Sequence, residues 1–198
     1  MIKPSALQPG DKVAALTLSW GGPGTYPHRY EVGKKQLEEA FKLQVVEMAC
    51  TLKPAEWIYN NPQARAGDLM ESFANKSIKG IISTIGGDES VRILPYLDLS
   101  IIRQNPKIFL GYSDTTATHF ACLKAGLTSF YGPSIMAGFA ENLGLFDYMS
   151  ESIQKILFDN DQIGEIKPSK ACTVEHLDWT NPDNQNVKRK LKVLTKDR

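Results

Sequence analysis

Residues 107–116 read KIFLGYSDTT, and this stretch decides the fold of the chain. Its first half is an apolar run that ends in a glycine, which is typical of a buried β-strand. The second half begins at Ser113 and is rich in the small polar residues that start helices. A strand that delivers a serine to a helix start places the hydroxyl where helix amides stabilise developing negative charge. Ser113 is therefore the candidate nucleophile, although Ser, Asp and Thr also cap helices for backbone reasons alone.

Predicted strands and helices alternate on both sides of this stretch. Apolar runs predict strands at residues 12–19, 43–48, 80–85, 107–111 and 127–131. Helical spacing predicts helices at residues 29–41, 62–74, 90–94, 98–103 and 115–125. Residues 141–158 contain a further predicted helix, which is interrupted or begins near Gly144. This order indicates an α/β fold with a Rossmann-like parallel sheet and helices on both faces. The ligand site of such a sheet lies at the carboxyl ends of its strands.

The composition is that of an ordinary soluble globular protein. The chain has 198 residues, with 23 basic and 22 acidic side chains and a net charge of +1, so no nucleic-acid partner is predicted. No apolar run approaches the roughly 18–20 residues that a membrane span requires, so no membrane partner is predicted either. Three widely spaced cysteines match neither a disulfide framework nor a zinc motif. We therefore expect a cytoplasmic protein without a metal.

Glycines follow two other predicted strands. Gly86 and Gly87 come after the strand at 80–85, where they serve a backbone turn or contribute amides to an oxyanion hole. The first glycine-rich turn, at residues 21–24 after the strand at 12–19, lacks the dinucleotide pattern and the lysine of a phosphate-binding loop. We therefore predict no nucleotide cofactor, and no other cofactor is indicated.

Four short blocks carry a resemblance to a known family. They read LSWGGPG at residues 18–24, IGGDES at 85–90, FLGYSDTT at 109–116 and FYGPS at 130–134. In this order and at these strand ends, they resemble the serine LD-carboxypeptidase family, in particular its microcin C self-immunity branch. The resemblance covers nearly all of residues 1–158. The murein-recycling branch of that family has Arg-Gly-Gly-Tyr-Gly where this chain has Ile85-Gly86-Gly87-Asp88-Glu89.

The resemblance implies a role for several residues. Ser113 matches the family nucleophile, and the backbone amides of Gly87 and Asp114 match its oxyanion hole. The family completes a Ser-His-Glu triad from a C-terminal domain. We expect a nucleophile-bearing α/β domain at residues 1–158, a turn-rich linker at 159–170, and the truncated start of an incomplete C-terminal domain at 171–198.

A histidine within the chain is a weaker candidate for the catalytic base. His119 lies nearly two helical turns after Ser113, and we expect it on the helix surface or in the core. His28 follows the first glycine-rich turn, where a loop histidine is usually solvated. His176 follows Glu175, but adjacent residues of an extended segment point to opposite faces. Arg65 and Arg92 could bind a substrate carboxylate through bidentate contacts, but we expect both to face solvent on their helices.

The resemblance implies a serine carboxypeptidase-like hydrolase. Its substrate would be a small peptide or a peptidyl- or aminoacyl-nucleotide conjugate in which an amide bond is cleaved. Murein peptide and nucleotide conjugate both stay open as substrate classes. The oligomeric state also stays open, with a homodimer as one possibility. Because a serine hydroxyl is a weak nucleophile without a base, the alternative is a truncated or degenerate member that acts as a non-catalytic binding or interaction module.

Overall fold

The computed structural model describes residues 1–159 and 163–194. Within these residues, five parallel strands form one sheet: β1 (Lys12–Leu16), β2 (Gln44–Glu47), β3 (Ile78–Ser83), β4 (Ile108–Gly111) and β5 (Phe130–Tyr131). Their order across the sheet is β2-β1-β3-β4-β5. Because β2 and β3 lie on opposite sides of β1, the strand order reverses there, and such a reversal opens a crevice beyond the carboxyl ends of the strands.

Helices connect the strands along the chain. The α-helices are α1 (Gly22–Thr25), α2 (Pro27–Phe41), α3 (Ala55–Asn60), α4 (Pro62–Ala74), α5 (Leu99–Gln104), α6 (Thr116–Ala125) and α7 (Asp147–Ile153). A π-helical turn at Gln154–Phe158 continues α7, and 3₁₀ turns span Ser90–Tyr96, Ser113–Thr115 and Pro182–Asn186. Two short strands, β6 (Ala171–Cys172) and β7 (Lys192–Val193), pair antiparallel near the C-terminus. The expected Rossmann-like α/β fold is confirmed.

The central sheet has a hydrophobic core on each face. Val13, Ile82 and Leu110 belong to one core, which also contains buried side chains of α2. Their neighbours along the same strands, among them Ala14 and Phe109, belong to the other core, with buried side chains of α4 and α6. Successive strand residues point to opposite faces, so this alternation buries both sides of the sheet and holds its strand ends in fixed positions.

Several predicted boundaries are wrong. The helix predicted within 141–158, interrupted or starting near Gly144, begins at Asp147, because Leu143 and Gly144 have positive φ values that a helix does not accommodate. The strand predicted at 127–131 contains only Phe130–Tyr131, since Leu127 instead forms an isolated bridge with Ile2. The short helices α1 and α3 were not predicted, because four and six residues are too few for a periodic pattern.

The segment after α7 packs on the α/β unit through polar contacts. The Arg189 guanidinium binds the Glu141 carboxylate through both of its oxygens, with an Nε–Oε1 distance of 2.8 Å. Nearby, the Gln185 amide donates to the Ala140 carbonyl at 3.1 Å. Residues 160–162 of the expected linker and 195–198 of the expected incomplete domain lie outside the described residues. The three expected domain boundaries stay a prediction.

Two classes of feature are missing from the part of the chain that the structure describes. Across residues 1–159 and 163–194, no helix combines the length and the apolarity that crossing a bilayer demands. Over the same ranges, no group of three or more His, Cys, Asp or Glu side chains is arranged to hold a metal ion.

Helix α2 approaches the backbone of residue 135 so closely that only glycine fits. A Cβ at Gly33 would lie 2.2 Å from the Ile135 carbonyl oxygen, and that backbone is held by a hydrogen bond from the Ile135 amide to the Ser83 carbonyl at 3.0 Å. We expect Gly33→Ala to lower the free energy of unfolding by about 1–3 kcal/mol or more, as overpacking of a rigid contact does. Urea unfolding followed by circular dichroism measures the effect.

The matched control is a glycine in another helix. A Cβ at Gly67 in α4 would meet nothing within 4 Å. Gly67→Ala should therefore raise the free energy of unfolding by about 0.5–1 kcal/mol, because alanine loses less backbone entropy in a helix. Equal effects of the two substitutions would show that the approach of α2 to Ile135 is not close.

Candidate active site

Ser113 lies at the sharp junction between β4 and α6. It is exposed and begins the 3₁₀ turn Ser113–Thr115, which runs directly into α6. Its φ is +60°, a left-handed conformation that non-glycine residues rarely adopt. Such a backbone costs about 1–3 kcal/mol and persists only where the surroundings impose it, which is characteristic of functional turns.

Three contacts surround this strained serine. The Ser113 amide donates to the Tyr131 hydroxyl at 3.0 Å, and the Thr116 hydroxyl donates to the Ser113 carbonyl at 2.5 Å. On the side of β3, the chain at Gly86 approaches so closely that a Cβ there would lie 3.1 Å from Ser113 Cβ and 3.3 Å from Ser113 Oγ. The Ser113 side chain is therefore packed beside the glycine turn that follows β3.

The two amides predicted to form an oxyanion hole border this contact. A Cβ at Gly86 would be 3.5 Å from the Asp114 amide nitrogen, and Gly87 is the next residue, with a φ of +148°. Among the described residues, neither the Gly87 amide nor the Asp114 amide has a hydrogen-bond acceptor. Backbone amides without an acceptor are able to donate hydrogen bonds to an oxyanion. Their convergence on one oxygen stays a prediction.

The Asp114 carboxylate makes contacts that the sequence analysis did not predict. Its Oδ2 accepts from the Ser19 hydroxyl at 2.5 Å and from the Ser90 amide at 2.7 Å. Ser19 and Ser90 lie in the motif blocks after β1 and β3. Their positions after strand ends indicated that both serines lie at the same edge of the sheet as Asp114. No local sequence pattern, however, pairs either serine with the Asp114 carboxylate.

The expectation that Arg65 faces solvent is wrong. Its side chain is fully buried, and Nη1 donates to the Leu18 carbonyl at 2.9 Å and to the Ser19 carbonyl at 3.3 Å. Burial lowers the pKa of this guanidinium, and within the described residues Nε and Nη2 have no partner. The reason is topological: α4 packs against β1 and β3, so its inner face lies under the strand ends. Arg92, by contrast, is partly exposed and pairs with Glu89 at 2.9 Å.

His119 is half-buried in α6, and both of its ring nitrogens have partners within the fold. Its Nδ1 is 2.8 Å from the Ser129 hydroxyl and its Nε2 is 2.9 Å from the Gly111 carbonyl oxygen. Because a carbonyl only accepts, Nε2 carries the proton and Nδ1 accepts from Ser129. Burial lowers the pKa of the His119 imidazole, so the neutral ring has no free lone pair for Ser113.

The other two histidines do not contact Ser113 either. The His28 ring packs edge-on against Tyr26, with ring centroids 6.2 Å apart. His176 is exposed and lines a cavity of about 280 Å³ together with Tyr112, the neighbour of Ser113. Within the described residues, no histidine forms a hydrogen bond with the Ser113 hydroxyl, so none of the three is placed to act as its base.

The cavity beside Tyr112 combines aromatic surface with positive charge. Arg29 and Trp179 line it, and the Arg29 guanidinium lies 4.1 Å from the centre of the Trp179 ring. Burial lowers the Arg29 pKa to about 10, which still leaves it charged at neutral pH. Arg189 is the second cation, and Glu141 neutralises it. A larger cavity of about 1040 Å³ lies along α7 and residues 163–173, away from Ser113.

Comparison with protein families identifies one match. The description of the matching family is the N-terminal domain of LD-carboxypeptidases, and the match covers residues 13–132. A Vibrio cholerae protein named as a carboxypeptidase is 32% identical over 181 residues, which are 90% of this chain and 54% of that protein. The microcin C7 self-immunity protein of Escherichia coli is 39% identical over 150 residues, which are 75% of this chain and 43% of that protein.

Solved structures show the same similarity in three dimensions. The crystal structure of an MccF-like protein from Streptococcus pneumoniae in complex with AMP superposes with a TM-score of 0.84 and 30% sequence identity. The superposition covers 94% of this chain and 55% of that one. The chain thus spans about half the length of the relatives it matches.

Proposed function

Because the chain belongs to the LD-carboxypeptidase family, we propose that it carries the nucleophile of a serine hydrolase that cleaves an amide bond. The observation that carries this proposal is the exposed, left-handed Ser113 at the end of β4, packed beside the Gly86–Gly87 turn. A non-catalytic module has no need for a strained serine next to two unoccupied amides. Family membership likewise favours the hydrolase over the binding module.

The proposed reaction is acyl transfer to serine. The Ser113 oxygen attacks the carbonyl carbon of the scissile amide, and its proton passes to a base. The carbonyl oxygen becomes an oxyanion, which the Gly87 and Asp114 amides stabilise by donating hydrogen bonds. The C–N bond then breaks, the amine leaves with a proton, and water hydrolyses the acyl-serine ester.

The base is the part that the described residues do not supply. His119 is engaged on both nitrogens, and neither His28 nor His176 is hydrogen-bonded to Ser113. The relatives are about twice as long as this chain. We propose that a histidine and a glutamate from a C-terminal domain, as the family resemblance implies, complete the triad in a whole enzyme.

For the substrate, the cavity beside Tyr112 favours a nucleotide conjugate over a murein peptide. Tyr112 and Trp179 supply surface for a planar base, and Arg29 supplies a positive charge for a phosphate or carboxylate. The structure of the Streptococcus pneumoniae relative with AMP is consistent with this choice. We also propose a cytoplasmic location, which three unpaired cysteines support, while a homodimer stays open.

Covalent labelling of Ser113 tests the proposed nucleophile. A fluorophosphonate reacts when a serine oxygen displaces fluoride from phosphorus, and its phosphoryl oxygen then occupies the oxyanion position. We expect one label per chain, on Ser113, as located by peptide mass spectrometry, because a bare serine in water is nearly inert. The fluoride of the fluorophosphonate is a far better leaving group than the amine of an amide, so labelling of Ser113 is measurable even without the base.

The control for this experiment is a second exposed serine at a helix start. Ser100 lies in the first turn of α5 and is exposed, but no glycine turn lies beside it. Ser113→Ala should abolish labelling, and Ser100→Ala should leave it unchanged. Labelling that persists in Ser113→Ala would show that Ser113 is not the nucleophile.

A further inference from the structure

Three strand ends meet at the Asp114 carboxylate. Asp114 follows β4, Ser19 follows β1 and Ser90 follows β3, and both serines are fully buried. Their donors converge on one carboxylate oxygen, Oδ2, from 2.5 Å for the Ser19 hydroxyl and 2.7 Å for the Ser90 amide. Hydrogen bonds to an ionised acceptor are about twice as strong as neutral ones. The carboxylate therefore links three loops that nothing in the local sequence connects.

Further contacts extend this link to both sides of Gly87. The Ser19 hydroxyl accepts from the Glu89 amide at 3.3 Å, and the Ser90 hydroxyl donates to the Asp114 carbonyl. Ser19 also lies directly against Gly87, since a Cβ there would be 2.4 Å from Ser19 Oγ. The Gly87 turn is thus held by Ser19 on its packed side and by residues 89–90 on its C-terminal side.

Arg65 supports the same assembly from beneath. Its buried Nη1 donates to the Leu18 and Ser19 carbonyls, and it lies at 3.5 Å from the Glu89 carbonyl. The charges of Glu89 and Asp114 both favour the charged form of Arg65. A negative Asp114 opposes a nearby oxyanion, so a buried positive charge under the same turn offsets part of that repulsion.

We propose that Asp114 is a positioning residue whose carboxylate fixes the Gly86–Ser90 turn relative to the Ser113–Thr115 turn that carries the nucleophile. The backbone of the same residue supplies one oxyanion amide, and its side chain sets the place of the other, on Gly87. This inference rests on the proposed function, because the two amides need fixed positions only if an oxyanion forms there.

Three variants separate positioning from general effects of charge. Asp114→Ala removes both hydrogen bonds and the charge, whereas Asp114→Asn keeps an oxygen that can accept both donors. Asp88→Ala is the matched control, because Asp88 is an exposed acid in the same turn and has no hydrogen bond within the described residues. Urea unfolding of each variant establishes that it is folded.

The first measurement is the rate of Ser113 labelling by the fluorophosphonate in the 198-residue chain. We expect Asp114→Ala to label about 10²-fold more slowly, the loss typical of a misplaced reacting group. Asp114→Asn should recover to within about tenfold of the original chain, since its oxygen restores the geometry with weaker bonds. Asp88→Ala should stay within about twofold, as surface substitutions do.

The second measurement is amide hydrogen exchange, which does not depend on Ser113 being reactive. In Asp114→Ala the Ser90 amide should exchange at least about tenfold faster, because it loses a charge-assisted hydrogen bond. Amides of β1 and β3 should be unchanged. If labelling of the original chain does not depend on Ser113, the proposed function fails. Hydrogen exchange of the Ser90 amide then decides by itself whether Asp114 holds the Gly86–Ser90 turn in place.

Three results would overturn the positioning role. One is Ser113-dependent labelling at the original rate in Asp114→Ala, which would leave the nucleophile assignment intact. Another is a pattern of rates that depends on charge rather than geometry, in which Asp88→Ala is slowed as much as Asp114→Ala or Asp114→Asn is no faster than Asp114→Ala. The third is unchanged exchange of the Ser90 amide in Asp114→Ala.

Discussion

The 198-residue chain by itself should hydrolyse an aminoacyl-nucleotide conjugate at least about 10³-fold more slowly than a longer relative. This is the scale on which hydrolysis falls when members of a catalytic triad are removed. Its physical reason lies at Ser113, whose hydroxyl has no hydrogen bond to a histidine among the described residues. Without a base, the serine must attack as a neutral hydroxyl.

The measurement compares three proteins on two substrates. They are this chain, the chain extended by the C-terminal part of a longer relative, and the same extension with Ser113→Ala. The substrates are an aminoacyl-nucleotide conjugate and a murein tetrapeptide, so the comparison also decides between the two substrate classes. The extension should restore turnover, and Ser113→Ala should remove it again.

Two outcomes would contradict this expectation. Ser113-dependent turnover by the chain alone would mean that an internal base exists. His176 would then be the first residue to replace, because it shares a cavity with Tyr112, whereas both nitrogens of His119 are engaged. Turnover of the extended protein that survives Ser113→Ala would instead overturn the nucleophile assignment.

Gly87→Ala should slow the labelling of Ser113 by about 10²-fold, the smaller of the losses seen when one oxyanion donor is removed. The new Cβ would lie 2.4 Å from Ser19 Oγ and 2.9 Å from Trp20 Cβ, and the φ of +148° is strained for any residue with a side chain. The turn must therefore move, and the Gly87 amide moves with it. The labelling rate measures the displacement.

Gly126→Ala is the matched control for this substitution. Gly126 ends α6 with a φ of +83°, and a Cβ there would meet nothing within 4 Å. It should lower the free energy of unfolding by about 1 kcal/mol and leave the labelling rate of Ser113 unchanged. If Gly87→Ala also leaves that rate unchanged, the Gly87 amide is not part of the oxyanion hole.

Predictions from the sequence succeeded where the signal was local. The apolar run that ends in Gly111 specified a strand, and the small polar residues after it specified a helix start. Helix α4 was predicted with its observed ends, Pro62 and Ala74, because its apolar spacing is regular and Pro62 marks its first turn. The strand predicted from residue 127 failed at its start, because Leu127 pairs with Ile2 in an isolated bridge, a distant contact that local propensity does not describe.

The sequence by itself determined that a serine stands at a strand end in a parallel α/β sheet, with glycine turns at the ends of neighbouring strands. Hydrophobic periodicity and turn residues are patterns of a few neighbouring positions, so they can be recognised in the sequence without a structure. Only the tertiary structure decided that Arg65 is buried, that both ring nitrogens of His119 are engaged, and that Asp114 binds Ser19. Asp114 and Ser19 are 95 residues apart, and the order of the strands in the sheet brings them together. Contacts of this kind depend on packing between elements, which no single segment of the chain encodes.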